Sequence, residues 1–309
     1  MQKEVIKLYN DRDDVTLTSY VIDPIRTSNV NIERPAVIIC PGGSYMYCSD
    51  REAEPVALAF NAMGFHAFVL RYSVYGQGKT TAEIIAEGQF PVKPDVIFPH
   101  ALQETAKAFE ILNQYATEWR IDTDKIGLAG FSAGGHNTGM YSNVWHEDVI
   151  QNATNLKGTA LKPAFNISAY ALTDIAYYYH QNIANPDPNI KAYATAISLA
   201  CFGKPLPSEA EIECYSVPAT VNEHTAPTFI WATREDDVVN VRDSLSLALA
   251  LEENQIPFEM HIFQEGPHGL SVANELSATM PNQVNKTAAQ WLPLAENWLK
   301  EIILKGVYS

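Results

Sequence analysis

The chain has 309 residues, 47% of them hydrophobic and 18% charged, with a formal net charge of −15. At that length a protein buries about three quarters of its unfolded surface, and the apolar share is that of a folded rather than a disordered chain. The acidic excess excludes the phosphate-neutralising surfaces of nucleic-acid and anionic-membrane binders, and no apolar run approaches the roughly 20 residues that span a bilayer.

Met1–Tyr9 lacks the apolar core of a secretory signal, so a cytoplasmic location is expected. Cys40, Cys48, Cys201 and Cys214 form no CxxC pair and have no histidine at zinc spacing, which reads as four free thiols in a reducing compartment. On that reading the acceptor triplets at Asn152, Asn166 and Asn285 are coincidental.

In chain order, the first 22 residues predict a small antiparallel hairpin. Ala36–Cys40 is a continuous apolar run, as in a strand buried on both faces. Residues 51–63 then have a helical pattern that stops at Gly64, and Phe65–Arg71 is the next strand. An irregular excursion covers 74–98, a strongly amphipathic helix 101–118, and a strand 125–131. Ala164–Ala171 reads as a strand, followed by a Tyr-, Asn- and Pro-rich excursion to about residue 226. Pro227–Ala232 is a strand, 241–254 a helix, Pro257–Phe263 a strand and 288–304 a closing amphipathic helix. Such alternation predicts an α/β fold of one domain over 1–309, with a mostly parallel central sheet between helices and cap-like excursions over its C-terminal edge.

Gly130-Phe131-Ser132-Ala133-Gly134 has the GxSxG spacing of a nucleophile elbow, between a short apolar strand and a helix start. The glycines remove collisions that side chains would make at a sharp strand-to-helix turn, and the helix N-terminus aims N–H groups at the serine. A serine needs a base to become nucleophilic, and the base needs an acid to orient it. Both candidates follow late strands in the order Ser, acid, His: the loop Thr233-Arg234-Glu235-Asp236-Asp237, and Gly266-Pro267-His268-Gly269.

With Cys40-Pro41-Gly42-Gly43-Ser44-Tyr45 and Leu70-Arg71-Tyr72-Ser73, these landmarks resemble the esterase branch of the α/β-hydrolases, similar to bacterial acetyl-xylan-esterase-like and dienelactone-hydrolase-like enzymes, from about residue 35 to the C-terminus. The resemblance implies Ser132 as nucleophile, His268 as base and Asp236 as acid, with Asp237 as the alternative acid. It implies an oxyanion hole of backbone N–H groups at Gly43, Ser44 and Ala133, no metal or organic cofactor, a small-molecule ester as partner, and acetyl esters of sugars as substrates; a homodimer is left open. Pro41 and Ser44 stand in place of the first and last residues of the related His-Gly-Gly-Gly motif. Trp231-Ala232 stands where relatives often have His-Gly, and Asn240 where they often have Pro. Tyr45 and Trp231 are candidate substrate contacts, although such residues are more often wall or core. His136 and His261 default to packing, and Tyr177, Tyr178, Tyr179 and His180 are an aromatic cluster for a cap. The rival readings are a prolyl-oligopeptidase-like peptidase, which would carry a further large domain, and a binding protein on a dead hydrolase scaffold.

Overall fold

Eight strands build one sheet: β1 (Val5–Tyr9), β2 (Arg12–Tyr20), β3 (Arg34–Cys40), β4 (His66–Arg71), β5 (Ile121–Phe131), β6 (Asn166–Ala169), β7 (Thr228–Thr233) and β8 (Phe258–Phe263). The computed structural model describes residues 1–25, 27, 32–79, 81–87 and 90–303. Strand order is β1-β2-β4-β3-β5-β6-β7-β8. From β4 to β8 every neighbouring pair is parallel, and β2 is antiparallel to both β1 and β4. The predicted N-terminal hairpin is therefore the edge of the main sheet, in register from Thr16 opposite Arg71 to Tyr20 opposite Ala67.

The run in β3 shows why both faces must be apolar. Ala36, Ile38 and Cys40 join a buried layer with Leu102, Phe109 and Met140. Val37 and Ile39 point the other way, among Phe60, Trp291 and Leu299. Period-two alternation in an all-apolar strand thus feeds two cores, under helices His100–Gln114 and Ala133–Val144 on one side and Glu54–Ala62 and Trp291–Ile302 on the other.

Two helices are shorter than their sequence pattern. The predicted 51–63 segment begins with a single turn at Asp50–Glu52, breaks at Ala53, and becomes a regular helix only at Glu54, where Pro55 stands in the first turn. The 101–118 pattern divides at Tyr115 into His100–Gln114 and Ala116–Trp119. Excursion 171–226 carries helices Ile175–Ile183, Pro188–Phe202, Glu209–Glu213 and Val217–Thr220. Excursion 74–98 carries helix Thr81–Glu87 and a turn at Pro94–Val96; its residues 80, 88 and 89 lie outside the described residues, as does residue 304 of the closing helix. The excursions pack on each other: the Phe98 amide donates to the Cys201 carbonyl at 2.9 Å, and the Phe98 ring stacks on Tyr215 at 4.4 Å. Among the described residues no helix is long and apolar enough to cross a membrane.

At the junction of β3, β5 and helix Ala133–Val144 the backbones touch. A Cβ on Gly134 would lie 2.0 Å from the Cys40 carbonyl oxygen and 2.5 Å from that of Pro41. Both obstacles are main chain and cannot swing away. Gly134→Ala is expected to lower the unfolding free energy by about 1–3 kcal/mol, read as an earlier urea midpoint at unchanged slope.

Candidate active site

Ser132 occupies the single residue between the end of β5 and the start of helix Ala133–Val144, at φ 52° and ψ −119°. Three backbone bonds hold that conformation. Its amide donates to the Ala169 carbonyl at 3.0 Å, and its carbonyl accepts from His136 N at 3.1 Å and Leu172 N at 3.2 Å. Gly130 makes room for the turn, since a Cβ there would meet Thr138 Oγ1 at 2.3 Å and the Gly134 carbonyl oxygen at 2.4 Å. Ala133 opens the helix, so its N–H has no intrahelical acceptor and faces out at the positive dipole end.

His268 and Asp236 converge on this serine from the loops after β8 and β7. His268 Nε2 lies 2.9 Å from Ser132 Oγ, and His268 Nδ1 lies 2.7 Å from Asp236 Oδ2. A carboxylate can only accept, so Nδ1 carries the proton and Nε2 is left as the acceptor for the serine hydroxyl. The other carboxylate oxygen, Asp236 Oδ1, accepts from the amides of Val238 at 2.9 Å and Val239 at 2.8 Å, which pins the side chain with Oδ2 toward the imidazole. Asp237 is exposed, and it is Asp236 that meets His268.

The loop after β3 lies against Ser132. A Cβ on Gly42 would be 2.8 Å from Ser132 Cβ, and Gly43, at φ +128°, has no room for one because the Tyr47 carbonyl oxygen is 2.0 Å from that position. The Gly43 carbonyl accepts from Met46 N at 2.8 Å and Tyr47 N at 3.1 Å, closing a tight turn through Ser44 and Tyr45, both at positive φ. The turn survives the loss of the His-Gly-Gly-Gly pattern because it is made of main chain.

A family model described as BD-FAE matches residues 25–251. The chain belongs to the BD-FAE family. Its structure aligns over 99% of the chain with 98% of a carboxylesterase from Lactobacillus plantarum WCFS1, at TM-score 0.77 and 26% identity. It aligns over 97% with 96% of an acetyl ester-xyloside bifunctional hydrolase from Caldicellulosiruptor lactoaceticus, at TM-score 0.72 and 25% identity. An endo-1,4-beta-xylanase B of Butyrivibrio fibrisolvens is 30% identical over 247 residues, 80% of this chain and 34% of that protein. The chain thus spans about a third of the length of that curated relative. It is an α/β-hydrolase esterase.

The cap reaches the site of the esterase directly. Tyr193, on helix Pro188–Phe202, hydrogen-bonds through its hydroxyl to Ser44 Oγ in the glycine loop. Between helix Ile175–Ile183 and the Asp236 loop lies a cavity of about 280 Å³, lined by Tyr177, Tyr178, Gln181, Asn182, Asn240 and Asp243 among others. His180 leaves that cluster to meet Glu209 at 3.0 Å.

Tyr45 and Trp231 are buried in the core and present no surface to a substrate, which corrects their reading as substrate contacts. Tyr45 is 1% exposed, donates to His136 Nδ1 at 2.7 Å and packs edge-on against Tyr72 and Phe98. Trp231 is fully buried and stacks on Trp291 at 5.2 Å. Each side chain projects into a core layer although its neighbours in sequence form the site. His136 is buried, with Nε2 donating to the Tyr215 carbonyl at 2.6 Å; burial pushes it down to about 4, so it is neutral at pH 7. His261 meets Glu259 at 2.7 Å.

Three residues beside the Ser132–His268–Asp236 cluster carry no signal in the sequence: Glu52, Tyr170 and Asp243. All are buried, and no local pattern marks a glutamate or aspartate as inward-facing. Burial, reinforced by the charges of Asp174 and Asp236, raises the Asp243 carboxyl to about 8. Between about pH 4 and 8 the folded protein therefore keeps a proton that the unfolded chain has released, and stability falls as pH rises through that window. Asp243→Asn removes this penalty and keeps an acceptor for the Asp174 amide. Its melting temperature is expected to match the parent near pH 4 and to exceed it increasingly up to pH 8, by scanning fluorimetry.

Proposed function

We propose that the esterase removes acetyl groups from the hydroxyls of sugars or oligosaccharides through a Ser132–His268–Asp236 triad and a covalent acyl-enzyme. The observation that carries this reading is the unbroken relay from Ser132 Oγ to His268 Nε2 at 2.9 Å and from His268 Nδ1 to Asp236 Oδ2 at 2.7 Å. As Ser132 Oγ attacks the ester carbonyl, Nε2 takes its proton, and Asp236 steadies the imidazolium. The oxyanion rests on the amides of Gly43, Ser44 and Ala133, each such donor being worth about 3 kcal/mol of barrier in sites of this kind. His268 then gives the proton to the departing sugar oxygen, and a water repeats the sequence to free acetate and Ser132.

Four observations support the substrate class. Tyr193 sits on Ser44, narrowing the space beside the glycine loop and favouring a short acyl group. The cavity by the acid loop presents amides, phenols and carboxyls, which match the donors and acceptors of a neutral polyol. The acidic chain, at −15, disfavours an anionic alcohol. Relatives named for acetyl ester-xyloside hydrolysis and xylanase activity point the same way.

Ser132→Ala is expected to abolish hydrolysis of p-nitrophenyl acetate; unchanged turnover would end the serine mechanism. Asp236→Asn is expected to lower kcat by about 10³–10⁴-fold by leaving the imidazole in the wrong tautomer, while Asp237→Asn stays within about twofold of the parent. Acetylated xylo-oligosaccharides are expected to give a higher kcat/KM than simple aryl acetates of matched reactivity. Comparable values on both would remove the sugar specificity and leave a general short-chain esterase.

A further inference from the structure

We propose that Glu52 is the positioning residue of this active site: its carboxylate ties the glycine loop to the histidine loop, so that the oxyanion donors and His268 are held to one another through a single buried group. The proposal rests on the serine mechanism above. Glu52 is 4% exposed, and its two oxygens have different tasks. Oε2 accepts from the Gly42 amide at 2.8 Å, and Oε1 accepts from the Tyr170 hydroxyl at 2.7 Å. The Tyr170 oxygen in turn accepts from the Ser271 amide at 2.9 Å, three residues beyond His268. Ser271 Oγ donates to the Arg51 carbonyl at 2.6 Å, returning the network to the residue beside Glu52.

Both ends of this circuit touch the chemistry. A Cβ on Gly42 would be 2.8 Å from Glu52 Oε2 and equally 2.8 Å from Ser132 Cβ. The Tyr170 ring packs edge-on against His268, with centroids 5.1 Å apart. Fixing the Gly42 amide on Glu52 fixes the peptide that leads into Gly43 and Ser44. Fixing Tyr170 sets the surface on which the imidazole leans and the amide of the loop that carries it. Among the described residues no lysine or arginine lies within ion-pair distance of Glu52, so these two donors are its compensation for burial.

The chemistry demands a carboxylate. Glutamine offers one acceptor oxygen where two donors converge. If that oxygen meets Gly42, its amide group faces a Tyr170 hydroxyl that already accepts from Ser271 and then has no acceptor for its own proton. Removing the hydroxyl relieves the conflict, because the substituted glutamine can then turn its oxygen to Gly42. The two substitutions must therefore be coupled.

The test is a cycle of Glu52→Gln, Tyr170→Phe and the double variant, with kcat and KM for p-nitrophenyl acetate expressed per Ser132 titrated by a fluorophosphonate. Glu52→Gln is expected to lower kcat by about 30-fold with KM within about threefold, a misaligned oxyanion donor costing less than a deleted one. Tyr170→Phe is expected to lower kcat by about fivefold, and in that background Glu52→Gln is expected to cost less than about fivefold. A kcat per titrated site equal to the parent's, with only the melting temperature reduced, overturns the proposal, as do losses that multiply in the double variant or a change confined to KM. If Glu52→Gln does not fold, Tyr170→Phe decides: a fall in kcat at constant KM supports the circuit, and parental kcat overturns it. A parent that neither turns over the ester nor labels at Ser132 sinks the serine mechanism itself; a parent that does both while Glu52→Gln equals it sinks only the role of Glu52.

Discussion

A backbone conformation that side-chain-bearing residues rarely adopt governs this molecule: Ser132 at φ 52° and ψ −119°, one residue wide, between the longest parallel strand and the helix behind it. Such a conformation costs about 1–3 kcal/mol and persists only where its surroundings over-determine it. Here the surroundings are three main-chain hydrogen bonds, one from β6, one from Leu172 beyond it and one from the helix's own first turn, and a set of glycines that let strand, helix and loop approach to contact. The turn lifts the hydroxyl off the sheet edge, where loops from β3, β7 and β8 can reach it. Sheet order explains why they do: β3 and β6 flank β5, so the glycine loop and the Tyr170 segment arrive from opposite sides.

Two buried carboxylates then divide the task of alignment. Asp236 uses one oxygen on its own loop's amides and the other on His268, so its rotamer and the imidazole's orientation are one constraint. Glu52 repeats the arrangement one layer away, with one oxygen on the glycine loop and one on the tyrosine against which the imidazole packs. In the proposed mechanism each acts by geometry, because the oxyanion donors they help to place need no reorganisation when charge develops. Helix Pro188–Phe202 joins this arrangement through Tyr193 on Ser44, tying the long excursion to the glycine loop.

What could be read from residues alone was what local physics dictates. The apolar run at Ala36–Cys40 announces a strand buried on both faces, and the glycines around Ser132 announce a close approach, because both patterns follow from sterics within a few residues. The order of acid and histidine after successive strands is likewise a linear signal. Glu52 gave none: in Asp50-Arg51-Glu52-Ala53-Glu54 it reads as one more surface charge, and only the break at Ala53 turns it inward. Tyr45 and Trp231 failed in the opposite direction. Adjacency to a site residue says nothing about which way a side chain points, and both point into the core.

Activation of Ser132 by His268 is read directly by peptide mapping by mass spectrometry after exposure to a fluorophosphonate. One adduct is expected, on the peptide carrying Ser132, formed rapidly in the parent and slowed by about 10³-fold or more in His268→Ala. An adduct on another residue, or labelling of Ser132 at the parental rate without His268, would contradict it.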